Sequence, residues 1–291
     1  MLLSRFKYHR PTDLSSAHEI LARYGDDATV YAGGTELLLA LKARVLRYEH
    51  LIDLKRIPEL NVLRVEGDWL VVGSLVTHHR LATDMVVDQA IPSYSALSKN
   101  IANIRVRVAG TLGGNLCFAE PHADPPALLS AIGATVTLSG TDGIRSVPVG
   151  EFIEGEFTTV RREDELLTEI RIPVTGPDES FCYKSFGHLE RPAVGVAAGC
   201  IKRDGTTAYR IWIGSIGDHP LRVAPVEAAL AGVPAKALMD VLPQVTKDAA
   251  SGLPAHDDLH GSADYKRHLA AILMRRAVLE AAGHQREIRN G

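Results

Sequence analysis

The chain contains 291 residues, of which 46% are hydrophobic and 23% are charged, with a formal net charge of -3 at pH 7. This length exceeds one average domain, so we expect two or three lobes with sizeable cores. The balanced charge argues against a nucleic-acid-binding protein, and the apolar content excludes low-complexity disorder. No stretch reaches the roughly 18 apolar residues of a transmembrane span, and residues 1–10 lack the apolar core of a secretory signal.

Three widely spaced cysteines, Cys117, Cys182 and Cys200, form no C-x-x-C pair. This pattern disfavours a zinc ribbon, an iron–sulfur cluster held by this chain alone, and a disulfide scaffold. We therefore expect free thiols and no metal site in a protein of the reducing cytoplasm.

Residues 1–56 predict a small unit that alternates helix and strand. Pro11-Thr12-Asp13 is a typical helix start, and Gly25 is a natural C-terminal stop. The predicted elements are, in order, a helix over 14–24, a strand over 28–32, a helix over 36–42 and a strand over 51–54.

Residues 57–176 contain both strand-like and helix-like sequence patterns and predict α+β structure. Glu66-Gly67-Asp68 predicts the turn of a hairpin, and Asp124 precedes two prolines that open a helix. The basic, β-branched run 104–109 indicates a β-type segment. The other predicted elements are strands over 62–65 and 69–72, helices from Thr77 and over 92–101, and strands over 135–138 and 167–172.

Residues 177–291 predict an antiparallel sheet covered by helices, reached through a linker at 176–180. Strands are predicted over 181–186, 193–201 and 208–216, and Arg203-Asp204-Gly205 joins the last two as a hairpin. An apolar stripe predicts a C-terminal helix; its members are Tyr265, Leu269, Ile272, Leu273 and Leu279.

Two glycine-rich segments, Ala-Gly-Gly-Thr-Glu at 32–36 and Gly-Thr-Leu-Gly-Gly-Asn at 110–115, are the most informative features. Each follows a predicted β-type run, and the first leads straight into a helix. Glycine lets backbone amides approach an anion, and a helix N-terminus adds donors and a positive dipole. Thr35 and Thr111 add hydroxyl donors. Either loop alone also suits an ordinary turn, but the pair suits the diphosphate of a dinucleotide held between two lobes.

Other motifs limit the kinds of cofactor or metal site that the sequence supports. Neither GxGxxG nor GxxxxGKS/T is present, so a Rossmann NAD site and a P-loop NTPase lack support. His78-His79 has no third ligand nearby in sequence and predicts an exposed helix start. Asp124 either accepts hydrogen bonds from cofactor hydroxyls or caps the helix that follows it. Lys184 alternates with aromatic residues on a predicted strand, so its side chain faces away from the core.

In this order and at these distances, the motifs resemble the FAD-binding medium subunits of the molybdenum hydroxylases. That family includes the medium subunit of aerobic carbon monoxide dehydrogenase and the flavin domain of xanthine dehydrogenase. Residues 32–36 and 111–115 are similar to its first and second flavin loops. The segment 119–124 matches its A-x-P-x-x-D pattern, although Glu120 and His122 vary that loop. The segments 166–173 and 264–277 are similar to the family's closing strand and final helix.

The resemblance implies a PCMH-type FAD-binding domain of two subdomains, followed by a smaller α+β C-terminal domain with an antiparallel sheet and helices. It implies domain boundaries of 1–56, 57–176 and 177–291, with no catalytic or metal-binding residue. What covers the flavin ring stays open, because Ile101 stands where some relatives carry an aromatic residue. The residues placed against FAD are Val30, Tyr31, Ala32, Gly33, Gly34, Thr35, Glu36, Leu37, Ile101, Thr111, Leu112, Gly113, Gly114, Asn115, Asp124, Leu167 and Lys184.

The resemblance also implies a function in electron transfer. A large molybdopterin subunit oxidises the substrate, a small subunit carries two 2Fe–2S clusters, and FAD passes the electrons to NAD, a quinone or oxygen. The assembly would be a cytoplasmic heterotrimer or a dimer of heterotrimers. One alternative is a stand-alone FAD-dependent oxidase or dehydrogenase of the same fold, acting on a small alcohol or hydroxy acid. Another is an assembly or storage protein that has lost flavin, against which both intact glycine pairs argue.

Overall fold

A computed structural model describes residues 3–187 and 191–284 of the chain. The described part mixes helices and strands and forms three structural units, each built on its own sheet. The predicted α+β class is therefore confirmed. The predicted first and third domains also include residues 1–2, 188–190 and 285–291, which lie outside the described residues.

The first unit is a three-stranded parallel sheet with the strand order β1-β3-β2. Its elements are β1 (Lys7–His9), α1 (Leu14–Tyr24), β2 (Ala28–Tyr31), α2 (Leu37–Ala43) and β3 (His50–Asp53). Asp13 caps α1 by accepting a hydrogen bond from Ser16 N at 2.8 Å, and Gly25 ends the helix with a φ of 48°. The four predicted elements are confirmed, whereas β1 was not predicted.

The second unit is a five-stranded antiparallel sheet with the order β4-β5-β10-β6-β7, packed against helices. Its strands are β4 (Leu63–Glu66), β5 (Trp69–Gly73), β6 (Thr135–Gly140), β7 (Gly143–Pro148), the short pair β8 (Ile153–Gly155) and β9 (Thr158–Thr159), and β10 (Leu166–Pro173). Its helices are α3 (His78–Thr83), α4 (Met85–Ala90), α5 (Pro92–Asn100), α6 (Ile104–Ala109), α7 (Leu112–Phe118), α8 (Pro125–Ile132) and α9 (Val149–Phe152). The predicted hairpin at residues 62–72 is confirmed.

The β-type segment predicted over 104–109 is wrong, because α6 occupies these residues. Asn103 caps this helix: its side-chain oxygen accepts hydrogen bonds from Arg105 N at 2.9 Å and from Val106 N at 3.2 Å. The cap stabilises the first turn and outweighs the weak strand preference of the β-branched residues. The segment before the second glycine loop is consequently a helix end, not a strand end.

The third unit is a four-stranded antiparallel sheet with the order β11-β12-β13-β14. Its elements are β11 (Glu179–Phe186), β12 (Val194–Arg203), β13 (Thr206–Gly214), β14 (Leu221–Arg222), α10 (Ala224–Leu230), α11 (Leu238–Ser251) and α12 (Ala263–Ala281). The hairpin turn predicted at Asp204-Gly205 is confirmed, with φ values of 51° and 75°. Because β10 ends at Pro173 and β11 begins at Glu179, the connection from the second unit covers residues 174–178, two residues earlier than the predicted linker.

The three units share apolar packing. Leu75 and Leu166 of the second unit join the core of the first, beside Ile52. Every residue of α8 is buried, and Ala197 of β12 belongs to the same core as this helix. The units therefore pack directly against one another. None of the helices in the described ranges is long and apolar enough to cross a membrane.

Candidate cofactor-binding site

A cleft of about 910 Å³ lies between the first two units, within the size range of small-molecule sites. Most of the predicted site residues line it. They are Val30, Ala32, Gly33, Gly34, Thr35, Glu36, Leu37, Ile101, Thr111, Gly113, Gly114, Asn115, Asp124 and Leu167. The topology thus brings together two loops that are far apart in sequence.

The two glycine loops lie against each other at the floor of the cleft. A Cβ atom built on Gly33 would lie 2.0 Å from the Ala109 carbonyl oxygen, and one on Gly110 would lie 3.4 Å from Thr35 Oγ1. A Cβ atom on Gly113 would lie 2.5 Å from Ser74 Cβ. The contacts at Gly33 and Gly113 are too close for any side chain, so the close approach of the backbones requires glycine there, whereas the 3.4 Å distance from Gly110 to Thr35 is ordinary van der Waals contact.

The first glycine loop presents backbone donors to the cleft. Within the described chain, the amides from Gly33 to Leu37 donate no hydrogen bond to the protein. Gly34 adopts a φ of 73°, which turns the chain into α2. A run of unpaired amides that leads into a helix is the arrangement that binds phosphate groups.

The second glycine loop is different, because the amides from Leu112 to Asn115 are already bonded inside the protein. Their acceptors are, in order, Val76 O at 3.0 Å, Ser74 O at 3.0 Å, Thr111 Oγ1 at 3.1 Å and Thr111 O at 2.9 Å. The expectation that both loops present free amides is therefore wrong for the second loop. This loop offers the side chains of Thr111 and Asn115 to the cleft instead.

Three polar atoms at the cleft are buried without a hydrogen-bond partner in the described structure. They are Ser74 Oγ, His78 Nδ1 and Asn115 Oδ1, and all three residues line the cleft. A buried polar atom without a partner costs free energy, which a polar ligand recovers. The lining thus fits a large cofactor that carries many hydrogen-bonding groups.

His78 lies at the floor of the cleft, so its predicted exposure is wrong. Its backbone amide donates to Gly110 O at 3.0 Å, and Thr77 forms a β-bridge with Thr111, which turns the start of α3 inward. Burial, followed by the nearby Arg107 guanidinium, lowers the pKa of His78 to about 4. The imidazole is therefore neutral at neutral pH, so one of its ring nitrogens can donate a hydrogen bond and the other can accept one.

Asp124 lines one end of the cleft and does not cap α8 with its side chain. Of the two alternatives left by the sequence, the capping role is therefore excluded. Burial raises the pKa of Asp124 to about 6, against the opposing effect of the neighbouring Tyr183 hydroxyl. The Asp124 carboxyl group therefore gains or loses its proton near pH 6, above the range of an ordinary aspartate.

A charged network spans the mouth of the cleft. Arg191 of the third unit contacts Glu36 at 3.3 Å and Glu120 at 3.0 Å, and these acidic residues follow the first and second glycine loops. His122 contacts Glu120 at 3.2 Å and Asp258 at 2.9 Å. The sequence carries no signal for these pairs, because their members come from three separate units.

Three predicted site residues do not line the cleft. The Tyr31 ring packs under Lys55, whose Nζ lies 3.9 Å from the ring centroid. The Leu112 side chain is fully buried in the core of the second unit. Lys184 lines a separate cavity and forms an ion pair with Glu280 at 2.6 Å.

The cysteines behave as expected from their spacing. Cys117, Cys182 and Cys200 are free thiols, and burial raises the pKa of Cys117 to about 11 and that of Cys182 to about 12. Within the described residues, no group of three or more His, Cys, Asp or Glu side chains is placed to hold a metal ion.

Comparison with known proteins places this architecture in a family. Residues 4–175 match the family described as the FAD binding domain in molybdopterin dehydrogenase, and residues 189–281 match the CO dehydrogenase flavoprotein C-terminal domain. The carbon monoxide dehydrogenase medium chain of Hydrogenophaga pseudoflava is 34% identical, covering 96% of this chain and 97% of that protein. The caffeine dehydrogenase subunit beta of Pseudomonas sp. (strain CBB1) is 35% identical, with 95% of each chain covered.

A solved structure agrees over the whole length. Carbon monoxide dehydrogenase from Hydrogenophaga pseudoflava, in a form that lacks the Mo-pyranopterin moiety of its molybdenum cofactor, superposes with a TM-score of 0.91 at 33% identity. The match covers 97% of this chain and 98% of the other. The resemblance inferred from the glycine loops is thereby confirmed: the chain belongs to the FAD-binding medium subunits of the molybdenum hydroxylases, which are flavoprotein subunits of oxidoreductases.

Proposed function

We propose that this chain takes electrons from 2Fe–2S clusters on a small partner subunit, holds them on FAD, and passes them to an external acceptor. A large molybdopterin subunit would oxidise the substrate. The observation that carries the proposal is the cleft, which is lined by the amides from Gly33 to Leu37 and by three buried polar atoms, all of them without a hydrogen-bond partner among the described residues. FAD supplies the redox centre when bound, and the protein supplies binding, orientation and electrostatics.

The roles of the cleft residues follow from what each offers. The amides of the first loop and the Thr35 hydroxyl would bind the diphosphate, since charge-assisted hydrogen bonds are the strongest available there. Asn115 and neutral His78 would bond to uncharged polar groups, and Asp124 would accept hydrogen bonds from cofactor hydroxyls. Ile101 and Leu167 give the cleft apolar surface for a ring system.

The residues outside the cleft would act indirectly. A Cβ atom on Gly34 would lie 2.4 Å from the Tyr31 ring, so Tyr31 supports the first loop from beneath. The buried Leu112 anchors the second loop in the core. The division into two FAD-binding subdomains over 1–56 and 57–176 and a C-terminal domain over 177–291 is part of the same proposal.

The proposed assembly is a cytoplasmic heterotrimer, or a dimer of heterotrimers, with small and large subunits. The relatives named above are described as a medium chain and as a subunit beta, which are names for one component of a complex. NAD, a quinone or oxygen would serve as the acceptor. The described surface exposes Ile104 and Val108 one turn apart on α6, as expected of a chain whose surface is partly covered in a complex.

The experiment is to purify the full chain and measure its flavin absorbance, at roughly 450 nm for oxidised flavin, together with the masses of co-purifying chains. Asn115→Leu removes the unpartnered Oδ1 and should lower FAD occupancy. The matched control Asn61→Leu changes an exposed asparagine that lines neither cavity and should leave occupancy unchanged. A folded wild-type chain with no affinity for FAD would overturn the proposal.

A further inference from the structure

The lining of the cofactor cleft is acidic, although the cleft would bind a negatively charged diphosphate. Among the described residues that line it, seven are aspartate or glutamate, and the only lysine or arginine side chains are those of Arg161 and Arg191. Arg161 donates to the backbone oxygens of Arg162 and Glu165. Of the two arginines, Arg191 is therefore the one that forms ion pairs with carboxylates in the described chain.

One of these carboxylates, Glu36, lies within the run of unpaired amides of the first glycine loop, at the N-terminal end of α2. A carboxylate at a helix N-terminus can itself accept hydrogen bonds from the free amides there. It also repels a diphosphate that approaches the same amides. Without a restraint, the Glu36 side chain would compete with the cofactor in both ways. In the described structure it makes no hydrogen bond to the start of α2.

Arg191 reaches Glu36 from the third unit. Its Nη2 atom lies 3.3 Å from Glu36 Oε1 and 3.4 Å from Glu36 Oε2, so the guanidinium contacts both oxygens. Its Nη1 atom donates to Glu120 Oε1 at 3.0 Å. The Glu120 side chain is only 11% exposed and also accepts a hydrogen bond from His122 N at 3.0 Å. Glu120 thus fixes the guanidinium, and the guanidinium restrains the Glu36 carboxylate.

We propose that Arg191 is a positioning residue for the cofactor. It neutralises Glu36 and keeps that carboxylate off the amides from Gly33 to Leu37, which stay free for the diphosphate. The inference rests on the proposed function, because it needs a diphosphate at the first glycine loop. Since Arg191 acts through Glu36, removing Arg191 should weaken cofactor binding only while Glu36 is charged. A residue that merely stabilised the fold, or that bound the cofactor directly, would not show this dependence.

The test is a double-mutant cycle on FAD affinity. Its variants are Arg191→Met, Glu36→Gln and the two combined, with Arg191→Lys as the conservative variant. The matched control is Arg203→Met, at another exposed arginine of the third unit, which pairs with Glu179 at 3.2 Å and lines neither cavity. The FAD-free full chain is titrated with FAD at about 0.01 M and about 1 M salt. Flavin fluorescence gives the Kd, and thermal melting followed by circular dichroism reports the fold.

We expect Arg191→Met to weaken FAD binding about tenfold at the lower salt concentration, within the range for a charge beside a helix N-terminus. The loss should shrink at the higher salt concentration, where the repulsion from Glu36 is screened. Arg191→Lys should keep most of the affinity, and Glu36→Gln should bind FAD at least as tightly as the wild type. The double variant should bind within about twofold of Glu36→Gln alone.

FAD affinity of Arg191→Met equal to that of Arg203→Met would overturn the proposal. A loss of affinity that Glu36→Gln does not restore would overturn it as well. The Arg191 side chain is 45% exposed, so its variants should fold. Arg191→Gln, which keeps a hydrogen-bond donor without the charge, replaces Arg191→Met in the cycle if that variant does not fold. A wild-type chain that binds no FAD would instead overturn the proposed function itself, so the two failures are distinct.

Discussion

Gly33→Ala is the sharpest perturbation of the proposed FAD site. The new Cβ atom would lie 2.0 Å from the Ala109 carbonyl oxygen and 2.8 Å from its carbon. Ordinary van der Waals contact begins at 3.4 Å, so the first loop and the end of α6 must separate by the remaining 1.4 Å. Both colliding groups are backbone, and neither can rotate away. Overpacking of this kind costs about 1–3 kcal/mol in stability.

The larger effect is expected on cofactor affinity. A displacement of this size removes the amides of the first loop from hydrogen-bond distance of the diphosphate. Each hydrogen bond to a charged group contributes about 1.5–3 kcal/mol, so losing two weakens binding by about two to four orders of magnitude. Titration of the FAD-free chain with FAD, followed by flavin fluorescence, measures this directly.

The control for this variant is Gly155→Ala. In the part of the chain that the structure describes, nothing lies within 4 Å of a Cβ atom at Gly155, so FAD affinity and thermal stability should stay at the wild-type level. Circular dichroism confirms that both variants are folded. A folded Gly33→Ala protein that binds FAD within about twofold of wild type, a free-energy difference below 1 kcal/mol, would refute the assignment of the diphosphate to this loop.

Three further outcomes are expected. Gly114→Val should abolish FAD retention with the fold intact, because its Cβ would lie 2.8 Å from Thr111 Oγ1 at the start of α7; retained flavin in the purified protein would contradict this. Between pH 7 and pH 5 the free energy of unfolding should fall by about 2 kcal/mol more in the wild type than in His78→Gln, since the unfolded His78 binds a proton near pH 6.5 while the folded pKa is about 4. The contribution of Asp124 to the free energy of unfolding should fall as the pH rises through about 6, because the buried carboxylate then becomes charged, and an Asp124→Asn variant with the same pH dependence as the wild type would contradict this.

The sequence was informative where structure depends on local chemistry. The two glycine pairs could be found because each contains a glycine, Gly33 or Gly113, at which close approach of another backbone leaves no room for a side chain. The helix cap at Asp13 and the helix end at Gly25 form hydrogen bonds with backbone groups only a few residues away, so both could be predicted from the sequence.

The sequence was uninformative where structure depends on contacts between distant segments. His78 turns inward because its amide bonds to Gly110 O, and no local pattern encodes that contact. The same holds for Arg191, which joins Glu36 and Glu120 from another unit. The prediction for residues 104–109 was wrong for a different reason. Their β-branched side chains suggest a strand, whereas the capping residue Asn103, which stabilises a helix, lies one residue before them.

The two glycine loops are similar in sequence, but their backbone amides differ in whether they are free to bind a ligand. In the first, the amides from Gly33 to Leu37 remain available, so its substitutions should act on FAD affinity through lost donors. In the second, the amides from Leu112 to Asn115 tie α7 to Ser74, Val76 and Thr111, so its substitutions should act through the position of the Asn115 side chain. A diphosphate needs donors in one place and a rigid wall opposite them. One loop that binds and one that supports meet that need, whereas two flexible loops of free amides would lose part of the binding free energy to ordering.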